Sequence, residues 1–316
     1  MRAVVLSAPG RMEVREAPVP QPAAGQVLVR VESCGVCASN VPPYEGRPWF
    51  GYPFAPGALG HEGCGYVAAL GEGVTAWQVG QRVGFLAYHG YAEFDVAEAT
   101  NLVALPPSLE GQPFPAEPLG CAMNIFARAE VRAQQRVAIV GFGFLGALLT
   151  QLCVAAGAQV LVVARRAEAG EQARVLGATV AAHGSREETL ALAKAWTQEQ
   201  WCEVVVEATG HQEPLELAAE LTGIRGRLVV AGYHQDGLRQ VNMQLWNWRG
   251  LDVINAHERD PRRYVRGMEE AVAAVVSGRL QPQALYTHVL PLEETGRALE
   301  LTRTRPPGFM KALVQL

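Results

Sequence analysis

Two hydrophobic rhythms divide the chain. Up to about residue 115, short alternating runs such as QVLVRVESCG (26–35) and GYVAALGEG (65–73) end in glycine, and none has convincing helical periodicity. Alternation bounded by turn residues predicts strands, so this region reads as a β-rich domain. From residue 117 the rhythm lengthens. RVAIVGFGFLGALLTQLCVAAGAQVLVVARR (136–166) reads as a buried strand, a glycine turn, an apolar helix and a second buried strand. GEQARVLGA, EETLALAKAW and QEPLELAAEL follow as helices, interleaved with the strands TVAAH, CEVVVEATG and GRLVVAGY. GLDVIN extends the series. Strands alternating with helices of this length predict an α/β, doubly wound parallel sheet. DPRRYVRGMEEAVAAVVSG (260–278) predicts a helix with an Asp-Pro start and a glycine stop. The tail returns to strand and helix and ends in FMKALVQL.

Composition narrows the class. The net charge is −4 and no basic cluster stands out, which argues against nucleic acid as the main partner. No long apolar run is free of charge or glycine, so a membrane span is not expected. The opening MRAVVLSAPGRMEV lacks the plan of a signal peptide. The six cysteines are scattered, which suits free thiols or metal ligands in a cytoplasmic protein better than disulfides. Lysine occurs only at Lys194 and Lys311, read here as a trace of genome composition.

Gly141, Gly143 and Gly146 form G-x-G-x-x-G, with Phe144 and Leu145 between the last two glycines. The pattern is weak alone. Here it follows a buried strand and opens an apolar helix, the context of a dinucleotide site. The glycines allow a tight turn, and the helix N-terminus offers free N–H groups to a pyrophosphate. At the end of the next strand, NAD enzymes usually place a carboxylate for the ribose hydroxyl. This chain has Ala164, then Arg165 and Arg166, whose guanidinium forks suit a 2′-phosphate. NADP is therefore expected over NAD.

His61 and Glu62 stand between glycines in PGALGHEGCGYVAALGEGV, with Cys37 upstream in CGVCASN. A thiolate, an imidazole and a carboxylate make an open zinc site. The segment Gly60 to Val74, G-H-E-x-x-G-x5-G-x-x-V, resembles the zinc signature of the medium-chain dehydrogenase/reductase superfamily. CGVCASN resembles its first-ligand segment, and AEPLGCAMN its third-ligand segment in sorbitol and related polyol dehydrogenases. The resemblance spans the chain. It implies a GroES-like catalytic domain of residues 1–122 and 280–316 around a Rossmann domain of residues 123–279.

On that resemblance Cys37, His61 and Glu117 are metal ligands, with Cys121 as a rival to Glu117. Glu62 is either a fourth ligand that exchanges with water or an outer residue, and Ser39 begins the proton relay. The family's four-cysteine lobe is missing, so one zinc per chain is expected. Asn40 replaces the usual aspartate that orients the histidine, and Pro42 the usual relay histidine. An amide at position 40 is still expected to accept a bond from His61. Tyr44, Glu45, Arg47 and Trp49 either line the substrate cleft or, the slightly favoured reading, form a packed loop.

The expected activity is hydride transfer between NADP(H) and an alcohol or carbonyl substrate, such as a polyol or secondary alcohol. The alternatives are a zinc-independent quinone or enone reductase of the same superfamily and a non-catalytic NADPH-binding protein. The expected partner is the small-molecule substrate. The apolar GLDVIN strand, beside Trp246 and Trp248, predicts a homodimer or homotetramer.

Overall fold

The chain opens with an antiparallel hairpin. β1 (Arg2–Ala8) pairs with β2 (Arg11–Glu16), and Gly10 in the tight turn takes a φ of +69°. This computed structural model describes residues 1–316. β3 (Gln26–Gly35) leads into a short helix, α1 (Val41–Glu45), begun by Pro42 and Pro43. β4 (Glu62–Leu70), β5 (Arg82–Phe85), β6 (Phe94–Glu98) and β7 (Leu102–Ala104) follow, then α2 (Ala116–Ala129). β3 pairs antiparallel with β4 and β6, which explains why its predicted alternation becomes burial on both faces. Val27, Val29, Val31, Val67, Val83 and Phe85 form its core.

The second half follows the predicted order. Its elements are β8 (Arg136–Val140), α3 (Phe144–Ala155), β9 (Gln159–Val163), α4 (Ala167–Val175), β10 (Val180–Ala182), α5 (Arg186–Trp196), β11 (Cys202–Glu207), α6 (Gln212–Leu221), β12 (Thr222–Val230), α7 (Met243–Arg249) and β13 (Asp252–Asn255). The strands form one parallel sheet in the order β10-β9-β8-β11-β12-β13. That is the Rossmann order, reversing direction between β8 and β11. Leu161, Val205 and Leu228 lie in its core. Periodicity did not reveal α7. It is a short helix capped by the Asn242 side chain, which accepts from Leu245 N–H. Trp248 on it is 87% exposed, whereas Trp246 packs against the core.

α8 (Pro261–Val276) starts at Asp260, whose side chain accepts from Arg262 N–H, as the Asp-Pro start predicts. β14 (Tyr286–Pro291), α9 (Thr295–Thr304) and β15 (Lys311–Gln315) complete the chain. β15 runs antiparallel to β3 and parallel to β14, so the tail returns to the first sheet.

Two compact units result. One comprises Met1–Cys121, Asp260–Ser277 and Pro282–Leu316, the other Ala122–Arg259 and Gly278–Gln281. α8 groups with the first unit, not with the 123–279 segment in which sequence reading placed it. The reason is close packing: a Cβ at Gly120 on α2 would lie 2.8 Å from the Met268 backbone nitrogen on α8. No helix is long and apolar enough to cross a membrane. Gly120→Val is expected to force these helices apart at a cost of about 1–3 kcal/mol, measured by chemical denaturation, while Gly111→Ala is expected to leave α2 and α8 in place.

Candidate active site

Three strands and a helix bring the first unit's chemistry together. Cys37 follows β3 and caps the turn Ala38–Asn40, its sulfur accepting Ser39 N–H at 3.5 Å. His61 precedes β4, and Glu62 is its first residue, opposite Gly35 in the β3–β4 register. A Cβ on Gly35 would lie 1.9 Å from Glu62 Oε2, so only glycine leaves room for the carboxylate. One ligand atom from each of Cys37, His61 and Glu62 lies within 4.8 Å of the others. Glu117 stands in the first turn of α2, buried, and its Oε1 accepts Cys121 Sγ–H at 3.1 Å.

Charge decides the protonation of this cluster. Burial works against a protonated His61. Its hydrogen bond to Cys37 and the charges of Cys37, Glu117 and Glu62 outweigh that, raising its pKa to about 10. Burial pushes Glu117 up, and Glu62 adds to the rise against the opposing pull of His61. Cys121 is driven well above the usual thiol range, first by burial and then by the charge of Glu117. It therefore remains a thiol that donates to Glu117.

Sequence reading missed Lys311. It lies on β15, 5% exposed, and its Nζ donates to Val36 O at 2.9 Å. The same nitrogen is 2.5 Å from Glu62 Oε2, an ion pair without hydrogen-bond geometry at that oxygen. The signal was present: one of only two lysines, alone in an apolar strand. Tyr88, also unforeseen, places its ring 6.4 Å from that of His61.

Asn40 departs from expectation. Its Nδ2 donates to Leu59 O at 3.0 Å and to Tyr91 Oη at 2.9 Å. Its Oδ1 accepts Ser39 Oγ–H at 3.5 Å, so the amide is committed to these partners in place of the expected bond from His61. Cys34 is fully buried and unpaired with Cys37. Tyr44 packs on the core, whereas Glu45 and Arg47 pair with each other at the surface and Trp49 is exposed, so only Tyr44 of that segment is packed.

In the second unit β8 ends at Val140, and Gly141 turns with φ +103°. A Cβ on Gly146 would meet Gly141 O at 2.0 Å, whereas one on Gly143 would meet nothing within 4 Å. The third glycine thus seats α3 against the turn, and the second leaves an open face. No side chain caps α3 at Gly143, and Phe144 and Leu145 form its first turn, the helix end that faces the glycine turn. Ala164 closes β9 with its N–H bonded to Ala182 O. Arg165 is exposed, and Arg166 is the N-cap residue of α4.

Both units match known families. Residues 23–165 match the alcohol dehydrogenase GroES-like domain, and residues 145–274 match the zinc-binding dehydrogenase family. The chain is 25% identical over 350 aligned positions to an uncharacterized zinc-type alcohol dehydrogenase-like protein, YdjJ, of Escherichia coli, covering 99% of this chain and 98% of that protein. It is 24% identical to a sorbitol dehydrogenase of Halalkalibacterium halodurans, covering 92% of each. Among solved structures, alcohol dehydrogenase TADH from Thermus sp. ATN1 superposes with a TM-score of 0.84 at 26% identity, covering 100% of this chain and 99% of that one. The fold and site define an NAD(P)-dependent oxidoreductase of two units, GroES-like and Rossmann-like. The chain belongs to the zinc-type alcohol dehydrogenases of the medium-chain dehydrogenase/reductase superfamily.

That family implies a zinc ion, and the cluster fits one: a thiol, an imidazole and a carboxylate oxygen converge. It also implies a nicotinamide dinucleotide, which the glycine cradle fits. Metal ligation requires a neutral imidazole. In the metal-free protein His61 keeps its proton up to about pH 10, so loading zinc at pH 8 is expected to release it. Apparent zinc affinity is then expected to rise about tenfold per pH unit between pH 7 and 9 for each proton displaced. Calorimetry in buffers of different ionisation enthalpy checks this, and a pH-independent affinity would refute it.

Proposed function

We propose that this protein transfers hydride between NADP(H) and a secondary alcohol or polyol, with a single zinc held by Cys37, His61 and a carboxylate. The observation that carries this reading is the convergence of Cys37, His61 and Glu62 in one cluster, with Glu117 close enough to influence His61. Glu117 is the preferred third ligand, because Cys121 is held as its hydrogen-bond donor. Glu62, tied to Lys311, remains the outer carboxylate or the exchanging one. None of the six cysteines lies between Cys64 and Cys121, which supports one zinc per chain.

Bound there, zinc supplies Lewis-acid polarisation of the substrate oxygen. The chain's residues do the rest. Ser39 Oγ, beside Asn40, passes the hydroxyl proton. Proline at position 42 carries no group that could take the proton onward, so that position adds no side chain to the relay. Tyr88 presents an aromatic face beside His61 for the substrate's carbon skeleton. The polyol class rests on the EPL segment at Glu117 and on similarity to the sorbitol dehydrogenase. The NADP preference rests on Arg165 and Arg166 after the short Ala164.

The same reading assigns β13 as a pairing edge. It is the last strand of its sheet, with Val253 exposed, and such an edge is relieved by pairing with a second copy. A dimer or tetramer in light scattering is the expected state, and a monomer at micromolar concentration would count against it.

Turnover on a panel of polyols, secondary alcohols and ketones is expected with NADPH, to vanish on exhaustive chelation, and to return with one equivalent of zinc per chain. Full activity after metal removal would overturn the reading. The cofactor choice has its own measurement. Arg165→Ala is expected to weaken NADPH about ten- to a hundredfold, the scale of a lost charge-assisted contact, and NADH far less. Equal losses for the two cofactors would assign the arginines to a solvated loop.

A further inference from the structure

The second unit contains a polar chain that the dehydrogenase reading leaves unused. Glu207, the last residue of β11, has no solvent exposure. A buried carboxylate needs full satisfaction of both oxygens. Its Oε1 accepts from Thr209 N–H at 2.6 Å, Thr209 Oγ–H at 2.5 Å and Gly210 N–H at 2.8 Å. Its Oε2 lies 3.0 Å from His234 Nε2, in the loop after β12. On the far side of the ring, Arg239 Nε donates to His234 Nδ1 at 2.8 Å. Arg239 Nη2 donates to Gly210 O at 2.8 Å, and the guanidinium pairs with Asp236.

The donors assign the tautomer. Arginine has no acceptor, so His234 Nδ1 accepts and the ring proton sits on Nε2, which donates to Glu207. The result is one directional chain, Asp236–Arg239–His234–Glu207, joining the loop after β12 to the turn after β11. The two turns also touch backbone to backbone. A Cβ at Gly232 would lie 2.1 Å from Gly210 N, and one at Gly210 would lie 2.5 Å from Tyr233 O.

This assembly abuts the phosphate turn. A Cβ at Gly141 would meet Thr209 Cγ2 at 2.4 Å, so the residue that Glu207 grips is the one packed on the first glycine of G-x-G-x-x-G. β8 and β11 are the neighbours at which the sheet order reverses, the crevice where open α/β sheets bind ligands.

We propose that His234 is a positioning residue for the dinucleotide: by relaying Arg239 to Glu207 it clamps Thr209 against Gly141 and fixes the turn that receives the pyrophosphate. The proposal rests on the reading that the second unit binds a nicotinamide dinucleotide. The chain could not be read from spacing, because its members come from two separate loops.

The test is cofactor affinity, measured by calorimetry on the full chain with NADPH and NADH, independent of turnover. His234→Leu removes both contacts and is expected to weaken binding about tenfold or more, the scale of a hydrogen bond to a charged group. His234→Gln can accept from Arg239 and donate to Glu207, and is expected to stay within about threefold of the wild type. Arg239→Met is expected to weaken binding too, and its combination with His234→Leu to lose little more than the worse single variant, because both break one chain. Zinc content is expected to be unchanged in all of them. A ¹⁵N spectrum of the wild type is expected to show His234 protonated at Nε2 and bare at Nδ1. If His234→Leu does not fold, Arg239→Met against His234→Gln carries the comparison. Wild-type affinity in His234→Leu or Arg239→Met, equal losses in His234→Leu and His234→Gln, or the opposite tautomer would overturn the proposal. A wild-type protein that binds neither cofactor would overturn the dinucleotide reading itself, and this proposal with it.

Discussion

The first unit depends on burying a carboxylate. Glu62 is 1% exposed, and a charge so placed is tolerated only with a partner. That partner, Lys311, arrives on β15 from the far end of the chain. The tail's antiparallel pairing with β3 is thus the step that brings Lys311 to Glu62. Removing either member would leave the other charge buried and alone, which for such pairs costs about 3–5 kcal/mol. Gly35 on β3 belongs to the same constraint, because any side chain there would occupy the space of the Glu62 carboxylate.

The Cys37–His61–Glu62 cluster inherits its character from that burial. His61 sits among a thiol and two carboxylates, so its basicity is high until a cation replaces its proton. The cluster is built to attract positive charge. Cys121, one helical turn from Glu117, is kept protonated by its surroundings and so orients a carboxylate without competing with it. Asn40 and Tyr91 tie the turn after Cys37 to Leu59 and Gly35, which fixes the thiol relative to the strand ends through neutral groups alone.

The second unit is organised by close approach. Gly146 permits α3 to rest on the Gly141 carbonyl, and Gly141 permits Thr209 to rest on the turn. Backbone packed this tightly leaves polar groups that only an exact set of partners can satisfy. Glu207 accepts from two such N–H groups and from the Thr209 hydroxyl, and His234 completes its remaining oxygen. The two units therefore solve one problem differently. One carboxylate is balanced by a direct cation, the other by a cation relayed through a neutral ring.

The local pattern alone determined the parallel sheet, its strand order along the chain, the glycine turn and the grouping of Cys37, His61 and Glu62 as candidate ligands. These are legible because each is written in neighbouring residues: alternation, helical period, or glycines at fixed offsets around a polar side chain. The return of α8 to the first unit, the short helix α7, the new partners of Asn40 and the pairing of Lys311 with Glu62 were decided by tertiary structure. So was the Asp236–Arg239–His234–Glu207 chain. Each joins residues distant in sequence or separated by irregular loops, where no period constrains the spacing. A buried charge declares its partner only when the fold removes water from around it.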